Sequence, residues 1–197
     1  KRARRYMQRV KNVNADEIIT LDKACHGRTY ATMAATGQER FQDGFAPIPD
    51  GFKTVPWGDL NVLEAAITPK TAAVLVEIVQ GEGGIRPMHA EYAKGIEALC
   101  REKGILFLVD EVQGGLFRTG KPWAFQHFDL KPDAISCAKA LANGLPMGAM
   151  MTTDEVSKGF VAGSHATTFG GGALTSAVAA QVERITQLDH LAERAAW

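Results

Sequence analysis

At 197 residues, 46% of them hydrophobic, the chain has the length and composition for one sizeable α/β domain with a real core. Lys and Arg total 22 and Asp and Glu total 22, and this zero net charge argues against nucleic acid or a membrane surface as the main partner. Three cysteines without CxxC spacing and five scattered histidines without an HExxH or HxH pattern support neither a disulfide framework nor a metal centre. With no signal peptide and no apolar run of bilayer length, the expectation is a soluble cytoplasmic protein.

The opening segment, Lys1 to Val10, reads as the middle or end of a basic helix with a solvated charged face, and a chain that opens inside a helix is expected to be truncated. Glu17 to Leu21 is a strand candidate leading into Ala24-Cys-His-Gly-Arg-Thr29, where Gly27 permits a tight turn beneath His26 and Arg28. Those two residues fit an ordinary polar turn, or a ligand-facing loop whose arginine fork suits a carboxylate. Residues 31 to 57 lack sustained periodicity and read as a long loop over a site. A short helix is expected over Leu60 to Ile67, and Thr68-Pro-Lys70 breaks it.

Thr71 to Val79 is the most hydrophobic strand candidate, and Glu77 within it is costly to bury unless paired. Gln80-Gly-Glu-Gly-Gly84 is glycine-rich but lacks GxGxxG, which fits a backbone passing close to a cofactor better than a dinucleotide fingerprint. Glu91 to Lys103 has a clear helical stripe, and Gly104 ends it. Ile105 to Val109 is a buried strand with Asp110 where it runs out and Gln113 just beyond. After a loop from Gly114 to Phe128, Ala134 to Cys137 forms a second such strand with Lys139 beyond its end. Met147 to Thr152 reads as a further strand, Asp154 as the cap of a short helix, and Leu174 to about Leu188 as a longer one. Alternating strands and helices with short links predict an α/β fold: a mostly parallel sheet with helices on both faces.

Ligands of parallel α/β sheets bind outside the carboxyl ends of the strands, so Asp110 and Lys139 at two such ends suggest one site. A lysine amine can hold an aldehyde cofactor as a Schiff base, and a carboxylate can keep its pyridine nitrogen protonated, as pyridoxal phosphate requires. Metal and nucleotide sites also place Asp at strand ends, so spacing alone leaves those readings open.

The segments CHGRT, VEIVQGEGG, LVDEVQGGLFRTGKPWAF, PDAISCAKALANGLPMGAM and GSHATTFGG decide between them. In this order and spacing they resemble the class III, fold-type I, pyridoxal-phosphate-dependent aminotransferases, over nearly the whole chain to about Ala180. The resemblance implies that Lys139 carries the cofactor covalently and shuttles a proton, and that Asp110 pairs with the pyridine nitrogen. Gln113 would lie near the phenolic oxygen and Val112 against the ring, with Cys25 and His26 also at the cofactor. It further implies that Arg28 grips a substrate α-carboxylate, that Thr167 lies near the substrate, and that Thr168 reaches the cofactor phosphate of a partner subunit in a homodimer. Glu82 resembles the acid that pairs with a downstream arginine and switches between amine donor and keto acid, and Glu77 is a structural partner within the site.

Three departures stand out. Cys25 occupies the place of an aromatic residue usually stacked on the ring, a loss of about 0.5–1.5 kcal/mol of binding. Ile78 replaces a proline, and Gly172-Ala173 replaces Asn-Pro. By the same likeness residues 1–197 are a partial large cofactor-binding domain, with the phosphate-cup segment and the small C-terminal domain outside this stretch. Within the family the likeness is greatest to the subgroup that moves the δ-amino group of N-acetylornithine to 2-oxoglutarate in arginine biosynthesis. Ornithine, succinylornithine and 4-aminobutyrate remain rival donors, and a non-catalytic relative acting as a binding protein is the alternative of a different class.

Overall fold

The computed structural model describes residues 1–196. Chain order is helix α1 (Arg2–Arg9), strand β1 (Glu17–Leu21), α2 (Tyr30–Ala35), β2 (Phe52–Val55), α3 (Leu60–Ala66) and β3 (Thr71–Val76). Then come β4 (Val79–Gln80), β5 (Arg86–Pro87), α4 (Ala90–Lys103), β6 (Leu106–Asp110), β7 (Ala134–Cys137), β8 (Ala149–Thr152), α5 (Asp154–Ser157), α6 (Ala173–Leu188) and α7 (Leu191–Ala195).

Six strands form one sheet in the order β2-β1-β3-β6-β7-β8, and β4 and β5 make a separate antiparallel pair. Every neighbour in the large sheet is parallel except β8, which runs antiparallel to β7. Alternation along the strands divides the core in two. Ile19, Val74, Val76, Phe107 and Val109 join Leu63, Ile96 and Leu99 of α3 and α4 in one cluster. Ile18, Ala73 and Leu106, with Leu75 and Leu108, join Ala3, Tyr6 and Met7 of α1 and Val156 of α5 in the other. Helices therefore cover both faces, as the sequence pattern anticipates.

The connections decide where a ligand can go. From β1 the chain moves outward to β2, then returns to place β3 on the other side of β1. This reversal of direction opens a crevice at the carboxyl ends of β1 and β3, and β6 and β7 end on the same side.

The structure corrects several sequence expectations. Residues 31 to 57 are not one loop: they hold most of α2, a 3-10 turn at Glu39–Phe41, and β2 at the sheet edge. The strand from Thr71 stops at Val76, because Val79 and Gln80 leave the sheet to pair with Pro87 and Arg86. Thr153, rather than Asp154, caps α5, its hydroxyl accepting from the Val156 N–H at 3.4 Å. The basic face of α1 is not simply solvated. Arg4 donates to the carbonyls of Asp16 (2.7 Å), Asp50 (3.2 Å) and Gly51 (3.1 Å), and Arg2 donates to Thr152 Oγ1 (3.0 Å) while lying over Phe160.

Candidate active site

Four strand ends supply the site. After β1 come Cys25, His26 and Arg28; after β3, Glu77 and Glu82; at the end of β6, Asp110, Val112 and Gln113; after β7, Lys139. These residues, with Gly27, line one cavity of about 280 Å³. A larger groove of about 550 Å³ lies between α6 and the β7–β8 side of the sheet. Its lining includes Trp123, Leu141 and Ile185, with Glu183 as its single charged residue. The charged and titratable groups gather instead in the smaller cavity.

Asp110 is only 8% exposed, and each of its oxygens is engaged. Oδ1 accepts from the Val112 N–H (3.1 Å) and from Ser136 Oγ (3.2 Å), while Oδ2 lies 2.8 Å from His26 Nδ1. An ionised carboxylate can only accept, so Nδ1 carries the proton there. His26 Nε2 is then left buried with no partner among the described residues. The backbone N–H of His26 donates to Thr36 Oγ1 at 3.0 Å, which fixes the turn that carries the imidazole.

Lys139 follows Ala138, the residue after β7, and has φ of 46°. A side chain other than glycine in the left-handed region is strained, and such strain persists only where its surroundings hold it. The 3-10 turn Lys139–Ala142 begins at this residue, and the exposed lysine makes no ion pair among the described residues.

Glu77, 3% exposed, fastens two of the loops together. Its carboxylate accepts from the Cys25 N–H at 2.7 Å and from the Gly81 N–H at 3.2 Å. Burial pushes its pKa up against the lowering effect of these hydrogen bonds. Glu111 does the same on the other side, accepting from Ala124 and Phe125 N–H at 3.0 and 2.9 Å, and burial raises its pKa as well. The glycines between these loops are required by the protein itself. A Cβ on Gly81 would run into the Gln113 amide, and one on Gly83 would lie 2.7 Å from Gln80 Oε1 and 2.9 Å from the Lys23 carbonyl oxygen.

The structure thus brings together Cys25, His26, Arg28, Glu77, Glu82, Asp110, Val112, Gln113 and Lys139. Thr167 and Thr168 are not among them; both lie on an exposed segment before α6, outside this cavity. Sequence reasoning missed Ser136 and Phe41. Ser136 is the register partner of Asp110, and a polar residue inside an apolar strand was its only signal. Phe41 meets Arg28 across thirteen positions of chain, for which no local pattern exists.

Together these groups suit pyridoxal phosphate. A buried, hydrogen-bonded carboxylate suits a protonated ring nitrogen, an amine with no ion pair among the described residues suits an aldehyde carbon, and the Gln113 amide lines the same cavity. Cys25 offers less stacking surface than an aromatic ring would.

Fold and site together define an α/β domain that sets a lysine and a buried carboxylate at neighbouring strand ends around one cavity. All 197 residues match the family described as aminotransferase class-III. The chain belongs to that family. It is 49% identical over 185 residues to the acetylornithine aminotransferase of Myxococcus xanthus, covering 92% of this chain and 46% of that protein. It is 47% identical over 187 residues to the acetylornithine aminotransferase of Methanocaldococcus jannaschii, covering 94% and 47%. Among solved structures, the ornithine aminotransferase of Toxoplasma gondii superposes with a TM-score of 0.93 at 34% identity, over 98% of this chain and 47% of that one. A second structure of that enzyme has pyridoxal phosphate at partial occupancy in its active site. The chain spans about half the length of the curated relatives it matches.

Proposed function

We propose that the protein transfers the δ-amino group of N-acetylornithine to 2-oxoglutarate, using pyridoxal phosphate. The observation that carries this reading is the convergence of Arg28 after β1, Asp110 and Gln113 at the end of β6, and Lys139 after β7 on one cavity. The acetylornithine aminotransferases at 47–49% identity support the choice of donor over ornithine, succinylornithine or 4-aminobutyrate. Residues 1–197 would correspond to part of the large cofactor-binding domain of those relatives.

Bound pyridoxal phosphate supplies an aldehyde that carries the amino group and a ring that withdraws electrons from the reacting carbon. Asp110 keeps the ring nitrogen protonated, and His26 orients Asp110 from the side, its Nδ1–H on Oδ2. Val112 and Cys25 would lie against the ring, and the Gln113 amide would donate near its phenolic oxygen. Lys139 Nζ would hold the group at rest. With the donor bound, Nζ would take the proton from its δ-carbon and hand it to the aldehyde-derived carbon of the group; with the keto acid bound, Nζ would carry a proton the opposite way, to carbon 2 of the keto acid. Arg28 would receive the carboxylate remote from the reacting carbon, the α-carboxylate of N-acetylornithine or the carbon-5 carboxylate of 2-oxoglutarate. Glu82, exposed at the cavity, would admit one substrate form and then the other. Thr168 serves the cofactor phosphate of a second copy, so the working unit is a homodimer. Three unpaired cysteines, two of them buried, favour a reducing, cytoplasmic setting.

The test is a glutamate-forming assay with each donor in turn, beside a cofactor titration followed in the visible spectrum. N-acetylornithine is expected to give the highest kcat/KM. A higher value for 4-aminobutyrate would overturn the substrate assignment.

A further inference from the structure

Arg28 is the one arginine that lines the cavity, and none of the ion pairs among the described residues includes it. Its guanidinium carbon stands 3.7 Å from the ring centroid of Phe41. At that distance the negative face of the ring attracts the cation. Phe41 closes the 3-10 turn Glu39–Phe41, and this turn is clamped on both sides. Gln38 Nε2 donates to the carbonyls of Lys23 (3.1 Å) and Ala24 (3.3 Å), just beyond β1. Gln42 Nε2 donates to the carbonyls of Met33 and Thr36, both at 3.2 Å, at the end of α2. The half-buried ring is therefore a fixed surface, while the arginine above it is exposed.

An exposed arginine samples many rotamers, and a ligand that fixes it must meet that entropy cost. A ring that already holds the guanidinium lowers the cost. A second guanidinium, that of Arg40, lies 4.6 Å from the same centroid and donates to Gln38 Oε1 at 2.9 Å. Neither arginine forms an ion pair among the described residues, so both guanidinium groups have donors free to meet an incoming anion. We propose that Phe41 is a positioning residue: its ring face holds the Arg28 guanidinium at the cavity, ready to receive a substrate carboxylate. This inference rests on the carboxylate-binding role proposed for Arg28.

The probe is glutarate, which presents carboxylates but neither an amine nor a keto group, titrated calorimetrically into the protein. Phe41→Leu is expected to weaken glutarate binding about five- to tenfold, and Phe41→Tyr to stay within about twofold of the parent. Fluorinating the ring keeps its shape but drains charge from its face, so trifluorophenylalanine at position 41 is expected to fall between them. Arg28→Ala weakens binding at least as much as Phe41→Leu. Unchanged affinity in Phe41→Leu with a clear loss in Arg28→Ala overturns the role of Phe41 alone. Equal losses in Phe41→Tyr and Phe41→Leu do the same, since they point to packing rather than the ring face. No binding by the parent, or no loss in Arg28→Ala, overturns the reading of Arg28 and the inference with it.

Discussion

Replacing Asp110 by Asn separates what this residue does for the cofactor from what it does for the fold. The new Oδ1 can go on accepting from the Val112 N–H and from Ser136 Oγ, now 3.1 and 3.2 Å away, so local packing is kept. The charge is lost, and a carboxamide NH₂ can face His26 Nδ1, which must then give up its proton. That proton moves to Nε2, a buried atom with no partner among the described residues. A hydrogen bond to an ionised group contributes about 1.5–3 kcal/mol, which becomes a ten- to hundredfold loss of cofactor affinity at about 1.4 kcal/mol per tenfold. Stability moves the other way. Burial chiefly, and the Asp110 charge in addition, raise the carboxyl pKa values of Glu77 and Glu111, so removing that charge relieves both. Asp110→Asn is therefore expected to bind pyridoxal phosphate weakly in a spectroscopic titration and to turn over slowly, with a cofactor-free Tm equal to or above the parent's. Parental affinity and turnover would refute the assignment; a large drop in Tm would show that the carboxylate serves the fold.

Other expectations follow from single contacts. Arg28→Ala raises KM for both N-acetylornithine and 2-oxoglutarate by an amount equivalent to about 1.5–3 kcal/mol, measured by steady-state kinetics. Glu111→Ala strands the N–H groups of Ala124 and Phe125 and lowers unfolding free energy by about 2–4 kcal/mol in denaturant titration. Glu77 and Glu111 hold their protons above the ordinary carboxyl value of 4.5. The folded state thus binds more protons than the unfolded one as pH climbs past 4.5, and their contribution to stability is lost as pH rises through the raised values. Glu77→Gln removes one of the two titrations, so its stability–pH curve is expected to fall less over that window; an unchanged slope contradicts the burial argument.

The parallel sheet and much of the cavity could be read from local pattern. Apolar runs ending in Asp110, or followed at once by Lys139, mark strand ends whatever the rest of the chain does, because buried parallel strands are continuous in hydrophobicity. The edge strand β2 was hidden because Lys53 and Thr54 are exposed and break the run. Helix α2, six residues long, is too short to display a period. Ser136 on Asp110, Thr36 on His26 and Phe41 under Arg28 are contacts set by strand register and by the folding back of the connection from β1 to β2. The strain at Lys139 is likewise a property of the assembled turn, since a lysine after an apolar strand carries no mark of positive φ.

The most direct test of the account is to trap the cofactor on the chain. Pyridoxal phosphate is added to the protein, the adduct is reduced with borohydride, and the labelled peptide is sequenced. The account predicts a single stoichiometric label on Lys139, absent from Lys139→Ala while weak non-covalent binding through Asp110 remains. A label on another lysine, or an undiminished one in Lys139→Ala, would contradict it.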